Sequence, residues 1–528
     1  MQVLRWWQRA VIYEIYPRSF QDSNDDGIGD LNGILRRLDY LIQLGVDAIW
    51  ITPVYPSPMA DFGYDVADYC GIDPVFGTMQ DFDRLLSECH ERGLKVILDF
   101  VPNHTSDQHP WFLESKASRE SPKRDWYLWR DEPNNWLSQF GGSAWDFDAT
   151  SGQYYCHSFL KEQPDLNWRN PAVKDAMFDV LRFWLDRGVD GFRVDVMWLM
   201  IKDDQFRDNP PNPGYVPGSP SNQRLLSVFN SDRPEVHALV AEMRAVVDEY
   251  ENRVLIGEIY LPVKLLMTYY GATLRGANLP FNFLLLQCAW SAESVRATIS
   301  EYMAALPSGA WANWVLGNHD NARIATKVGI RQAPVAAMLL LTLPGTLTMY
   351  YGEEIGMTNV AILPENVKDP AEKNQPGIGM GRDPERAPMQ WDSSPRAGFT
   401  TATPWLPLAS DFHENNVAKL LRDNACLLSL YRSLLVLRRA HPAFISGKLS
   451  GLSAESNLLR YERSDAKERL LVLLNLGFDP IEAKLQSGKI MSSTRFDRNE
   501  NRVENAVTVR GAEGLIILLD EDSAGEPA

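Results

Sequence analysis

The sequence predicts an α/β fold: a (β/α)8 TIM barrel, a domain inserted after its third strand, and an antiparallel β domain at the C-terminus. Three observations carry this. A unit of amphipathic helix, glycine and apolar strand recurs in RRLDYLIQLGVDAIWITPV, DFDRLLSECHERGLKVILDFV and AMFDVLRFWLDRGVDGFRVDV. The strands of these units are apolar at consecutive positions, as parallel strands covered on both faces must be. The rhythm then fails at 104–170 and again after about 445, where the composition changes.

The elements follow in order. Candidate barrel strands lie at 11–16, 48–54, 95–101, 192–196, 254–259, 277–283, 314–316 and 346–350, the sixth being the weakest pattern. In the first helix Leu31, Ile34, Leu35, Leu38, Leu41 and Ile42 form one stripe at helical spacing. Gly45, Gly93 and Gly188 stand where a helix end calls for a left-handed residue. A doubly wound open sheet is the alternative, and the lack of a Gly-rich phosphate loop after the first strand disfavours it. The 67 residues from His104 to Asn170 are too many for a loop and read as a small domain. NLLRYERS, RLLVLLNLG and GLIILLD read as short alternating strands. The predicted boundaries are 1–103 and 171–445 for the barrel, 104–170 for the insert and 446–528 for the β domain. The tail EDSAGEPA reads as disordered.

Bulk composition excludes several function classes. The chain has 528 residues, 45% of them hydrophobic, and a net charge of −17. Such an acidic surface repels phosphate backbones, so nucleic acid is not an expected partner. Five scattered cysteines without paired spacing fit a reducing compartment. Neither a signal peptide nor an uncharged apolar run of membrane-spanning length is evident. The expectation is therefore a cytoplasmic protein with no membrane partner, monomeric or homodimeric. Sixteen Trp, 19 Tyr and 21 Phe are mostly core, but their number also suits a ligand with sugar rings to stack on.

QDSNDDGIGDLNGI, residues 21–34, carries Asp22, Asn24, Asp26 and Asp30 at relative positions 1, 3, 5 and 9, with Gly27 at 6. That is the opening of a calcium loop, although position 12 is Gly33 where such a loop has Glu. The preceding VIYEIYPRSF reads as strand, so no helix is expected to lead in.

Barrel enzymes place their chemistry at the C-terminal strand ends. There the sequence puts His104 in DFVPNH, Arg193 and Asp195 in GFRVDV, Glu258 in GEIY, and His319 and Asp320 in LGNHD; Tyr64 and Asp65 follow the second strand. Any one of these could be a solvated strand end, but several carboxylates converging on one mouth call for another reason. Arg193 and Asp195, two apart, share a strand face, so the guanidinium is expected to hold Asp195 ionised as a nucleophile. Ile256, Ile259 and Tyr260 surround Glu258, an apolar setting that raises a carboxyl pKa and suits a general acid. Two carboxyls of unequal pKa in one pocket are the equipment of a glycosidase.

DFVPNH, GFRVDV, GEIY and LGNHD, in this order, resemble the four signature regions of the α-amylase superfamily, glycoside hydrolase family 13. AVIYEIYPRSFQDSNDDGIGDLNGI, QPDLNW and GRDPERAPMQW are similar to its α-glucosidase and oligo-1,6-glucosidase branch, and the likeness spans nearly the whole chain. The resemblance implies hydrolysis of short α-glucosides from the non-reducing end, with a small oligosaccharide as substrate. It implies Asp195 as nucleophile, Glu258 as acid/base and Asp320 as the carboxylate gripping sugar hydroxyls. Arg193, His104 and His319 would line the same subsite and Tyr64 would stack under the glucose. Asp65, paired with Arg386 in preference to Arg382, would hold the terminal hydroxyls; Phe147 of the insert is a candidate wall residue. The loop after strand one would hold a structural cation, Ca2+ or alternatively Mg2+, through Asp22, Asn24, Asp26, Asp30 and the carbonyl of Ile28. A transglucosidase, or a sugar isomerase of the trehalose synthase or sucrose isomerase type, would use the same covalent intermediate. By the same resemblance Val196 points to α-1,6 linkages, and DNPPNPGY to α-1,4 bonds and sucrose.

Overall fold

The computed structural model describes residues 4–520. Eight parallel strands build the central sheet: β1 (Val11–Ile15), β2 (Ala48–Ile51), β3 (Lys95–Phe100), β7 (Gly191–Val194), β8 (Val254–Gly257), β9 (Leu279–Pro280), β10 (Asn313–Val315) and β11 (Thr346–Tyr350). Their order is β10-β11-β1-β2-β3-β7-β8-β9, sequential around a ring that lacks only a β9–β10 ladder. The reason lies in β9. It has two residues where the sequence suggests seven, and one of them is Pro280, which has no N–H for a ladder. Two asparagines span the seam instead. The Asn282 N–H donates to Asn313 Oδ1 at 2.9 Å, Asn313 Nδ2 to the Pro280 carbonyl at 2.7 Å, and Asn282 Nδ2 to the Asn313 carbonyl at 3.2 Å.

Ile12, Trp50, Ile97, Ile256, Leu279 and Val315 pack together as an inner core, and a larger apolar layer joins the outer strand faces to the helices. Gly45, Gly93 and Gly188 all take positive φ, at 96°, 79° and 106°, as their helix-end positions require. The first predicted helix is two: Leu31–Arg36 and Leu38–Leu44 meet at Arg37, whose φ of −108° and ψ of 8° break the turn. The break swings the stripe, and Ile42 ends exposed.

Within 104–170 lies a three-stranded antiparallel sheet, β4 (Trp129–Arg130), β6 (Gln153–Cys156) and β5 (Trp145–Asp148) in that order. The C-terminal region holds a six-stranded antiparallel sheet of β12 (Lys448–Glu455), β13 (Leu458–Ser464), β14 (Arg469–Asn475), β16 (Gly488–Ser493), β17 (Arg502–Val503) and β19 (Gly514–Leu519). A two-stranded sheet, β15 (Ile481–Lys484) with β18 (Ala506–Val509), packs on it. Two buried arginines stand at the junction with the barrel, and Arg463 is the one that crosses it. Arg438 donates to the carbonyls of Leu341, Leu343, Gly345 and Phe444, and Arg463 of β13 to those of Thr342, Phe444 and Gly447. The predicted disordered tail 521–528 lies outside the described residues. All five cysteines are free. No helix among the described residues is long and apolar enough to cross a membrane.

Candidate active site

Strand register assembles the site. Glu14 of β1 lies level with Trp50 of β2, and Asp99 of β3 level with Arg193 of β7. All four are buried, the indole of Trp50 donating to Asp99 Oδ2 at 3.2 Å and lying under the Arg193 guanidinium. Arg193 is the hub. Its Nη1 donates to Asp99 Oδ1 and to Asp195 Oδ1, each at 2.8 Å. Its Nη2 approaches Glu258 Oε2 to 2.7 Å, at an angle too bent for a hydrogen bond.

One guanidinium therefore serves three carboxylates, and this corrects the expectation that it holds Asp195 ionised on its own. Burial pushes Asp99 up to about 6. It pushes Asp195 well above the ordinary carboxylate range, with the Glu258 charge adding to it, and raises Glu258 too against the pull of Arg193. Asp195 and Glu258 are thus both shifted upward, and each one's charge bears on the other. Nor is the setting of Glu258 merely apolar: beside Arg193, its Oε2 accepts the Val196 N–H at 2.9 Å. To donate it, Val196 takes a left-handed backbone, φ 36° and ψ 47°, a strained state for a β-branched residue.

Asp320 is the ionised acid of the pocket. Burial pushes it up, but the charges around it more than offset that and hold the carboxyl below its usual range. Burial also keeps the His319 imidazole well below its ordinary pKa, so the ring is neutral and the guanidiniums of Arg386 and Arg382 carry the effect. Arg386 Nη2 donates to Asp320 Oδ1 at 2.8 Å and its Nε to the His319 carbonyl at 2.8 Å. A buried chain then runs from Glu14 Oε1 to His319 Nδ1 (2.5 Å), from His319 Nε2 to the Tyr64 hydroxyl (2.7 Å), and on to Asp99 Oδ2 (3.0 Å). His104, its pKa pushed down to about 4 by burial, meets the Tyr64 carbonyl and Gln163 at 3.1 Å each.

These groups open on a cavity of about 650 Å³. Tyr64, His104, Asp195, Glu258 and Asp320 line it, with Val196 beside them and Phe140, Phe159 and Tyr260 as aromatic walls. Arg193, His319, Arg386 and Asp65 stand behind the wall and orient what does line it.

Two expected residues are elsewhere. Asp65 meets no arginine. Its carboxylate accepts the N–H groups of Ala60 (2.8 Å) and Asp61 (2.9 Å) and closes the turn between them. The acid that reaches an arginine is Asp61, whose Oδ1 lies 2.6 Å from Arg382 Nη2, while Arg382 Nε binds Asp369 Oδ2 at 2.7 Å. The expected pair of Asp65 with Arg386 or Arg382 is therefore not formed; Arg382 pairs with Asp61 and Arg386 with Asp320. Phe147, in the edge strand β5, is 52% exposed and packs on Tyr154. Glu14, Asp61 and Asp99 were not singled out by sequence, and Arg382 was weighed only behind Arg386. For Glu14 and Asp99 the signal exists: single acids inside the apolar strands VIYEI and KVILDF.

The loop at 22–30 is a hydrogen-bonded turn. Asp22 Oδ1 accepts the N–H groups of Asn24 and Asp25, and its Oδ2 accepts the Gly27 N–H and the Thr400 hydroxyl. Asp26 accepts the Ile28 N–H; Asp30 accepts the Ser23 N–H and caps the helix Leu31–Arg36 through the Gly33 N–H. A helical turn, Pro17–Phe20, does lead in, contrary to the strand reading. The donor chemistry, all oxygen, fits a hard cation. Among the described residues, however, no group of three or more His, Cys, Asp or Glu side chains is poised to hold a metal.

Residues 14–447 match the family described as the α-amylase catalytic domain. The chain belongs to the α-amylase family. This α-amylase-family protein is a glycoside hydrolase. A probable α-glucosidase of Rhizobium meliloti (strain 1021) is 42% identical over 493 residues, 89% of either chain. An oligo-1,6-glucosidase of Parageobacillus thermoglucosidasius is 39% identical over 512 residues, 89% of this chain and 90% of that one. The crystal structure of the α-glucosyl transfer enzyme XgtA superimposes with a TM-score of 0.92 at 38% identity, covering 98% of this chain and 100% of that one.

Proposed function

We propose that this glycoside hydrolase is an exo-acting, retaining α-glucosidase that removes single glucose units from short α-glucosides such as maltose, isomaltose and sucrose. The observation that carries this is the Arg193 hub, which presents Asp195 and Glu258 to one cavity with ionised Asp320 beside them. When substrate binds, Glu258 carries a proton and Asp195 is ionised, although in the free protein burial raises Asp195 more strongly. Glu258 gives its proton to the glycosidic oxygen as Asp195 Oδ attacks the anomeric carbon, so that the leaving sugar departs with the proton and a glucosyl ester forms on Asp195. Glu258, now a carboxylate, takes a proton from water, whose oxygen attacks the same carbon. Free glucose leaves in the original α configuration and Asp195 is restored. Asp320 binds hydroxyls of the distorted ring, and the Asp61–Arg382 pair limits the cavity at one terminal sugar.

Val196 and Gln223, which both line the cavity, are placed to contact the second sugar and support a broad linkage range. Likeness to a glucosyl transfer enzyme supports a second reading, in which a sugar hydroxyl replaces water in the second step. The reading includes a cytoplasmic location, in keeping with free thiols, as a monomer or homodimer. It also includes a structural Ca2+ or Mg2+ held by Asp22, Asn24, Asp26, Asp30 and the Ile28 carbonyl, for which Asp22 would have to give up a present donor.

The test is labelling by a mechanism-based fluoroglucoside, followed by peptide mapping. Label on Asp195, and Glu258→Gln activity that survives best on aryl glucosides with good leaving groups, are expected, since those need no protonation. Label elsewhere, or β-glucose as first product, overturns the mechanism.

A further inference from the structure

Away from the catalytic cavity, about 730 Å³ of open space lies between Arg36 and Arg37, at the end of the helix Leu31–Arg36, and the turn at 394–401. Arg36, Arg37 and Arg396 line it, with Gln21, Ser394, Thr401 and two carboxylates, Asp22 and Asp25. The chain has 69 acidic and 52 basic residues, yet none of these three guanidiniums has a carboxylate within ion-pair distance among the described residues.

The acids nearby are already committed. Asp22 spends its two oxygens on the four donors of its loop, Asp25 Oδ1 faces the Thr401 N–H at 3.4 Å, and Asp392 accepts the Ser394 N–H at 2.8 Å. Arg37 is fixed in place. Its guanidinium lies 4.1 Å over Trp391, and its Nε donates to Gln21 Oε1 at 2.7 Å. The Gln21 amide nitrogen is itself tied to the Asp22 and Phe399 carbonyls, so its oxygen must face Arg37. Both terminal nitrogens of Arg37 remain without a protein partner. Burial without a counter-ion pushes this arginine down to about 10, against the pull of Asp392. Arg36 uses one nitrogen, on the Ser23 carbonyl at 3.0 Å. The Arg396 guanidinium makes no hydrogen bond among the described residues, and the residue stands at φ 60° and ψ 30°, a left-handed position that glycine or asparagine takes most readily. Its side chain therefore earns nothing for the fold, while its backbone is strained.

We propose that this cavity binds a small phosphate monoester, its dianionic head held by the guanidiniums of Arg36, Arg37 and Arg396 and its body by the polar wall. Planar guanidinium forks match phosphate oxygens in pairs, and the space is too large for a bare ion. The site shares Asp22 and Asp25 with the loop 22–30, so occupancy would brace that loop. It does not depend on the glucosidase reading.

Calorimetry and thermal shift on the full-length protein test it, with glucose 6-phosphate, inorganic phosphate and gluconate as probes. Glucose 6-phosphate is expected to bind more tightly than inorganic phosphate, and gluconate not to bind. Arg396→Asn is the decisive variant. Asparagine tolerates the left-handed backbone, so the unliganded melting temperature should hold or rise while affinity falls about tenfold, one charge-assisted contact having been lost. Arg36→Gln should weaken binding likewise. Several results would overturn the site: no binding of either phosphate, gluconate binding equally well, affinity unchanged in Arg396→Asn, or displacement by glucose, which would move the ligand to the catalytic cavity.

Discussion

Asp61→Asn tests which acid closes the substrate pocket. Asp61 Oδ1 holds Arg382 Nη2 at 2.6 Å, and its Oδ2 receives Gln163 Nε2 at 3.3 Å. Asparagine keeps the size but removes the charge that meets the guanidinium. Arg382 would keep Asp369 at 2.7 Å and the more distant Asp320 at 3.5 Å, so the fold should survive. A hydrogen bond to a charged group contributes about 1.5–3 kcal/mol net, and losing about 2 kcal/mol from sugar binding lowers kcat/KM about thirtyfold. On the proposed reading the pair would grip the sugar before and during reaction alike, so most of the loss should appear as raised KM. Initial rates over a range of maltose concentrations measure both constants. Arg382→Lys and the double variant complete a cycle, which should show a coupling of about 1.5 kcal/mol or more, since lysine cannot reproduce the fork. If kcat/KM of Asp61→Asn stays within about threefold of the parent and the coupling falls below about 0.5 kcal/mol, the pair does not bind sugar and the assignment fails.

Other perturbations follow from the same contacts. Burial raises Glu353 to about 7, while the Tyr431 hydroxyl donates to it at 2.8 Å. A raised folded-state pKa means its contribution is whole below about 4.5 and lost as pH climbs through 7, so Glu353→Gln should gain on the parent by about 3 kcal/mol between pH 4.5 and 8, read from denaturant midpoints. A constant difference across that range would remove Glu353 from the account. Asn313→Leu removes two of the three seam hydrogen bonds and leaves the Asn282 N–H and Pro280 carbonyl unpaired, at a cost of about 3 kcal/mol; a urea midpoint shift equivalent to less than about 1 kcal/mol would show these two bonds to be dispensable. Chelation should lower the melting temperature more than the initial rate, with Asp22→Ala mimicking it. Unchanged melting in both would mean the loop relies on its hydrogen bonds alone.

Much of the site is legible because a barrel turns strand ends into a pocket: polar residues closing apolar strands, such as Asp195 and Asp320, had few other places to go. Asp61 and Asp65 show where legibility stops. They lie four apart in ADFGYD, and which one faces inward depends on a turn in which Phe62 and Gly63 take φ of 51° and 111°. Composition suggests such a turn but not its handedness. Phe147 follows the same logic, since aromatic character does not reveal which edge of a small sheet is left bare. Pro280 was readable as a ladder breaker; that side-chain amides would stand in for the ladder was not, because the partner lies 33 residues away. The sharing of Arg193 among three acids is likewise a product of register between β3, β7 and β8.

Arg438 and Arg463 bear on how such proteins can be recombined. Both are buried cations, pulled down to about 9 by burial, and their counter-charge is a ring of backbone carbonyls contributed by both the barrel and its C-terminal neighbour. The β domain is in that sense a plug and not an appendage. A chimera that swapped it for another relative's domain would have to bring a cation to the position of Arg463, or leave the Thr342 carbonyl without that donor and the Phe444 carbonyl to Arg438 alone. Crossover points for exchanging catalytic barrels among relatives therefore belong downstream of β13, with both arginines kept on the same parent.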